Sequence, residues 1–249
     1  MKDIVLLVIF MLGLVILQYA QGQSVDDIIN KYIDGRGGKD KLSAIKSVYM
    51  EGSREMMGSE VAVKVTIVQG KLFRNDFEFG GNKGYMIVTP TEGWSLIPMR
   101  SQNVEIISAD RLKNMQGQLD IAGPLVDYIA KGNKAELQEK EIIDAAKDGT
   151  GGKEAYKIKM TLSTGKEIFF FIDKDTYLLI QSKQMSPAMG SNNTPQEIVT
   201  NYSDYKSFDG IMFPQSIANP GSGVTGGSTT FDTIVINKII DECQYKPST

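Results

Sequence analysis

Residues 61–68 read Val61-Ala62-Val63-Lys64-Val65-Thr66-Ile67-Val68. Branched apolar side chains fall on every second position, so one face of an extended strand is apolar and the other mostly polar or small. Gly70 turns the chain, and Leu72–Phe79 returns with Phe73, Phe77 and Phe79 on one face. Tyr85–Thr89 and Trp94–Ile97 continue the pattern around a Thr91-Glu92-Gly93 turn. Strands about ten residues apart with Gly turns between them are the mark of an antiparallel meander.

On the N-terminal side the period changes. Ser24 is a good N-cap, and Asp26 and Asp27 suit the first turn of a helix. Val25, Ile28, Ile29, Tyr32 and Ile33 make one apolar stripe at helical spacing, which Gly35 ends. Lys39–Lys46 is expected to be a short second helix. Ser108–Gln118, with Leu112, Met115 and Leu119 at helical spacing, and a segment from Gly123-Pro124 through Leu125, Val126, Tyr128 and Ile129 to Gly132 predict two more in mid-chain. Strands resume at Lys134–Ala145, Tyr156–Ser163, Lys166–Ile172, Tyr177–Met185, Gln196–Lys206, Ile211–Ile217 and Thr229–Asn237. The expectation is a mainly β (α+β) fold of about ten to eleven antiparallel strands. A twisted sheet of that size tends to curl or close. The Gly221–Gly227 segment reads as a loop within one domain.

The first 22 residues read as an address. Ile4–Leu17 is apolar apart from Gly13, Lys2 precedes it, and Ala20 and Gly22 sit at the −3 and −1 positions of a cleavage after Gly22. The run is shorter than the ~20 apolar residues a spanning helix needs. A cleaved signal peptide over 1–22 and a single domain over 23–249 are therefore expected, with an uncleaved anchor as the other reading. Cleavage leaves no cysteine near the new N-terminus to carry a lipid.

Composition narrows the chemistry. The 249 residues hold 27 Lys and Arg against 30 Asp and Glu, a net charge of −3, with one cysteine and no histidine. That excludes Ser-His-Asp and Cys-His catalysis, histidine-ligated metals and an internal disulfide. The charge balance argues against a nucleic-acid partner. Gly35-Arg36-Gly37-Gly38-Lys39 lacks the spacing of a phosphate loop and follows a helix, so it reads as a C-cap and a tight turn. Asp173-Lys174-Asp175-Thr176-Tyr177 begins like a calcium loop but has Leu178 and Gln184 where Gly and Glu are needed, and reads as a hairpin turn. Asn192-Asn193-Thr194 is a sequon only in a eukaryotic secretory context. Cys243 reads as an incidental, partly buried thiol. No cofactor, metal site or catalytic set is expected.

What remains is an apolar surplus. Ten of the twelve methionines follow the leader, and methionine suits surfaces that accept variable apolar shapes. Taken singly, these residues are core. Taken together, on the concave face of a curved sheet with helices over its opening, they are a candidate cavity lining. From the strands the candidates are Met50, Val63, Val65, Phe77, Met86, Trp94, Met160, Phe169, Phe171 and Leu179; from the helices, Leu112, Met115, Leu119, Leu125 and Tyr128. Burying about 14 methylenes at ~0.8 kcal/mol each gains roughly 11 kcal/mol, against an association cost of about 4–15 kcal/mol. One chain held this way is bound and still releasable.

Five segments carry a family resemblance: Val25–Lys46 (VDDIINKYIDGRGGKDKLSAIK), Thr91–Pro98 (TEGWSLIP), Phe171–Leu179 (FIDKDTYLL), Tyr202–Pro214 (YSDYKSFDGIMFP) and Ile234–Pro247 (IVINKIIDECQYKP). In this order and spacing the chain resembles the LolA/LolB-like outer-membrane lipoprotein-sorting proteins, in a divergent Bacteroidetes-type form. The resemblance implies a half-open antiparallel barrel with lid helices over an apolar concave face. It implies a periplasmic, monomeric carrier or chaperone whose partners are lipid or lipoprotein acyl chains and envelope membrane proteins, with no enzyme activity. The alternative is an envelope scaffold module that uses the rim of its sheet for protein contacts.

Overall fold

Ser24 opens the first helix, α1 (Val25–Gly35), with a reciprocal cap: its hydroxyl accepts from the Asp27 amide while the Asp27 carboxylate accepts from the Ser24 amide. The helix buries Ile28, Ile29, Tyr32 and Ile33, the stripe predicted from spacing. Arg36 caps its C-terminal end, and the amides of Gly37 and Gly38 close on the carbonyls of Asp34 and Ile33. Gly37 has a φ of +117°, and a Cβ there would lie 2.3 Å from the Gly210 carbonyl, so the turn into α2 (Lys39–Ser43) tolerates no side chain. This computed structural model describes residues 23–56, 58–144, 151–187, 195–220 and 227–247. The expected leader, the Asn192 sequon and residues 221–226 of the glycine loop lie outside the described residues. No helix among the described residues is long and apolar enough to cross a membrane.

The rest of the described chain is one antiparallel sheet. Its strands are β1 (Ser47–Met56), β2 (Ser59–Val68), β3 (Leu72–Phe79), β4 (Asn82–Val88), β5 (Gly93–Leu96), β6 (Glu105–Ile106), β7 (Lys134–Leu137), β8 (Glu141–Ile143), β9 (Lys153–Thr161), β10 (Glu167–Asp173), β11 (Leu179–Pro187), β12 (Pro195–Phe208), β13 (Ile211–Asn219) and β14 (Gly227–Ile236). The strand order is β6-β5-β4-β3-β2-β1-β14-β13-β12-β11-β10-β9-β7, with β8 also on β9. Fourteen strands replace the ten or eleven expected. The expected strand Lys134–Ala145 divides into β7 and β8, the strand expected to carry Met50 is β1, and the two-residue β6 is added.

The topology explains the architecture. The chain starts in the middle of the sheet at β1, runs outward to the edge at β6, crosses to the opposite edge at β7, and returns inward until β14 pairs with β1. The sheet does not close. One buried cluster joins α1 to Val48 and Val63 in the first half and to Ile158, Met160, Phe170, Ile172, Phe213 and Phe231 in the second. For a single helix to share a core with strands so far apart in the order, the sheet must curl around it. The face toward α1 is the concave face.

The crossover, residues 107–133, is the second cover. It contains α3 (Ala109–Met115) and a 3₁₀ turn (Gln116–Leu119). Leu112 and Leu119 pack with Val88 and Ile107, against Phe73, Met86 and Met115. The Gly70 amide donates to the Leu119 carbonyl (2.8 Å), Tyr128 donates to the Asp26 carboxylate (2.6 Å), and Lys131 pairs with Asp120 (2.6 Å). The helix expected between Gly123 and Gly132 is instead a run of turns. Asp127 adopts a φ of +53°, which interrupts a right-handed helix. Leu125 and Val126 remain buried all the same, because they drop from these turns into the main core.

Candidate functional site

The sheet register sorts the candidate lining residues. Met50 lies opposite Val65, Val63 opposite Phe77, and Asn75 opposite Met86. All of these face the concave side with Val63 and Val65, which belong to the α1 core. Met160, Leu179 and Leu125 are in that core as well, and Tyr128 packs against it. Leu112, Leu119 and Met115 line the underside of the crossover. Twelve of the fifteen candidates thus meet on the concave face or its covers.

Trp94, Phe169 and Phe171 do not. Trp94 is opposite Ile87 on the convex face, in a cluster with Leu72 and Tyr85. Phe171 is opposite Lys157 and packs outward with Ile143 and Ala155, with Phe169 beside it. Their outer faces carry the Lys157 and Lys183 ammonium groups, which share the Glu141 carboxylate. The inward residues of β10 are Ile168, Phe170 and Ile172. The physical reason is register. Five consecutive apolar residues carry no alternation, and a shift of one residue exchanges the two faces.

Most of the concave face is filled: Ile28 on α1 and Ile158 and Met160 on the sheet beneath it are fully buried in one core. Between the α1 core and the α3 cluster the situation differs. Met50, Phe73, Phe77, Met86 and Met115 point inward yet stay only half-buried. They form a strip of soft apolar surface within reach of solvent. Asn75 lies in this strip with its Oδ1 buried and without a hydrogen-bond donor.

From its sequence context Arg36 is expected only to cap α1. The structure places its guanidinium in the interior, 8 % exposed, donating to the Tyr32 hydroxyl (3.2 Å) and to the carbonyls of Met212 and Ala122 (3.4 Å each). It also lies over the rings of Tyr32 and Phe213. Burial works against its charge, but interaction with Tyr32 and Tyr205 outweighs this and raises its pKa. Burial raises the Tyr202 and Tyr205 phenols too, so these groups stay protonated. No sequence signal separates a buried arginine at a C-cap from an exposed one.

Among the described residues no cluster of acidic or thiol side chains has the spacing of a metal site. Cys243 is exposed, not partly buried as expected.

An incompletely closed antiparallel sheet, curled on one N-terminal helix and covered by an edge-to-edge crossover, defines the class of fold. No family model matches the sequence, and no curated protein matches it. Among solved structures, a LolA superfamily protein, NE2245 from Nitrosomonas europaea, is similar with a TM-score of 0.54 and 12% identity, over 90% of this chain and 99% of that one. An uncharacterized conserved protein from Thermus thermophilus aligns at a TM-score of 0.34 and 9% identity, over 91% and 95% of the two chains. The Pseudomonas aeruginosa MucA/MucB complex aligns at 0.31 and 10%, over 88% and 61%. The last two scores are too low to bear on the fold. The first shows that this chain has the LolA-type fold.

Proposed function

We propose that this protein binds the acyl chains of lipids or lipoproteins on its concave face and carries them through the periplasm. The observation that supports this reading is the half-buried apolar set of Phe73 and Met86 packed with Met115 of the crossover, and Met50 and Phe77 beside the α1 core, in a LolA-type fold. Methionine and phenylalanine conform to flexible chains without requiring directional bonds. The apolar leader over residues 1–22 supports export, and the short apolar run supports release from the membrane after cleavage.

The test is native mass spectrometry on protein expressed with its own leader and taken from the periplasm. The expected result is a chain starting at Gln23 with a bound mass of lipid size. That mass is lost in Met50→Arg and Met86→Arg variants that keep their thermal unfolding midpoint. An empty wild-type protein would overturn the reading. Ile106, 81 % exposed at the β6 edge, favours a second reading in which the rim of the sheet contacts an envelope protein. Capture of one envelope protein that is lost in Ile106→Lys, from a lipid-free chain, supports that reading instead.

A further inference from the structure

Along β3 the inward positions read Phe73, Asn75, Phe77 and Phe79. Asn75 breaks an otherwise aromatic row. Its neighbours across the sheet are Val65 on β2 and Met86 on β4. Along its own strand Phe73 and Phe77 stand ~6.6 Å to either side. Four apolar side chains therefore frame it, and none of them can donate a hydrogen bond.

Asparagine is disfavoured inside strands, and here it carries a further cost. Its Oδ1 is buried from solvent and accepts no hydrogen bond among the described residues. β3 is paired on both sides, so the neighbouring backbone amides serve the ladder. A buried oxygen in this state lowers stability. Leucine at this position would occupy a similar volume and leave nothing unpaired. A residue that weakens the fold where an apolar one would serve points to a ligand-binding role.

The chemistry of the oxygen defines what it lacks. An amide oxygen only accepts, so its partner must bring an N–H or an O–H. Met50, Met86 and Phe77 around it stay half-buried. Methionine is unbranched and turns aside easily, so a chain entering over Met86 can present a polar group to Oδ1. An ester placed there would set one lone pair against another.

We propose that Asn75 selects among acyl ligands, taking chains that carry a hydrogen-bond donor at their linkage, an amide N–H or a hydroxyl, over chains joined through an ester alone. This rests on the carrier reading above and names the linkage that the concave face favours.

The full mature chain is titrated by calorimetry with two matched pairs of probes, each below its micelle concentration. N-dodecanoylglycine and dodecanoyloxyacetate differ only in an N–H replaced by oxygen. β-Hydroxydodecanoate and dodecanoate differ only in one hydroxyl. In at least one pair the member with the donor should bind about tenfold more tightly, as one satisfied hydrogen bond allows, and the pair that shows it distinguishes amide from hydroxyl. Asn75→Leu should bring the two members of that pair to equal affinity. Met86→Arg should abolish binding of all four probes. Equal affinities within both pairs on the wild type overturn the proposal and leave the carrier reading standing, whether or not the variants fold. A preference that survives in Asn75→Leu overturns it too, as does binding retained in Met86→Arg, which would put the probes elsewhere. Failure of every probe to bind the wild type removes the carrier reading and this proposal with it.

Discussion

The guanidinium of Arg36 donates from Nη1 to the carbonyl oxygen of Ala122, 3.4 Å away, and so joins the C-terminal end of α1 to the crossover that covers the concave face. The same nitrogen reaches the Tyr32 hydroxyl and Nε reaches the Met212 carbonyl, so one buried side chain ties a helix, a strand and a loop together. All three acceptors are neutral.

Arg36→Ala removes these donors and the packing between Tyr32 and Phe213. It should cost about 2–4 kcal/mol, from the void and from carbonyls left without partners. Arg36→Lys should recover little, because an ammonium lacks the planar fork that serves three directions. Urea midpoints of the two variants measure this, and a wild-type midpoint in Arg36→Ala would remove the tie.

Phe170 and Phe169 are adjacent in sequence and lie on opposite faces of β10. Phe170 is 6 % exposed in the α1 core, while Phe169 is half-buried beneath Lys157. Phe170→Ala should cost about 3–5 kcal/mol, and Phe169→Ala less than half of that. Thermal midpoints in the reverse order would show that the register has slipped by one.

Asp173 organises the β10–β11 turn. Its Oδ1 accepts from the Asp175 amide (3.0 Å), the Thr176 amide (2.8 Å) and the Thr176 hydroxyl (3.0 Å). Burial alone would raise its pKa; these hydrogen bonds outweigh it and hold the carboxyl below its ordinary value. An acid depressed in the folded state stabilises fully above its unfolded pKa of ~3.9, and that contribution fades as pH falls through the lower, folded value. Asp173→Ala should cost about 1–3 kcal/mol at neutral pH. Asp173→Asn should flatten the acid limb of the stability profile, and an unchanged acid limb would count against the account.

Tyr156 and Tyr177 stack with ring centres 5.8 Å apart, yet they titrate apart. Donation from Gln23, then from Lys31, lowers the Tyr177 phenol to about 8; burial first, then Tyr177, raises Tyr156 to about 12. Because the two are neighbours, the steps belong to the pair. Between about pH 8 and 10 the folded chain gives up a proton that the unfolded chain keeps, so the Tyr177 contribution grows with pH there and is lost as pH falls through 8. The Tyr156 contribution has the opposite sign: it is full below about 10 and is lost as pH rises toward 12. Phenolate absorbance should show one group ionising near 8, moved upward in Lys31→Met. A titration with no phenolate before the ordinary tyrosine range would contradict the arrangement.

Much of this structure was legible in the residues. The period of two in Val61–Val68 identified both a strand and its inward face, because only one of its faces was consistently branched and apolar. The Ser24 cap and the Ile28-Ile29-Tyr32-Ile33 stripe placed α1 and the side it buries. The hairpin at Asp173 and the tight turn after Arg36 followed from what each motif lacked. Where both neighbours on a strand were apolar, as in Ile168–Ile172, the pattern held no facing information, and Phe169 and Phe171 fell on the wrong side; Trp94 alternates with Ser95, but its apolar side is the convex one, which the distant Ile240 and Tyr245 cover. The turns after Gly123 kept their buried residues but not a helical backbone, since Asp127 takes a left-handed conformation that spacing does not reveal.

By itself the sequence determined the local geometry: a period of two makes a strand, a period of about 3.6 makes a helix, and glycine or an acidic cap ends each. These are properties of a few adjacent residues. The tertiary structure alone decided which side of the sheet is concave and that Arg36 is interior. Each of these depends on partners far away along the chain, as Arg36 is 86 residues from Ala122. Burial is a relation between distant segments, and no local pattern encodes which segment will arrive.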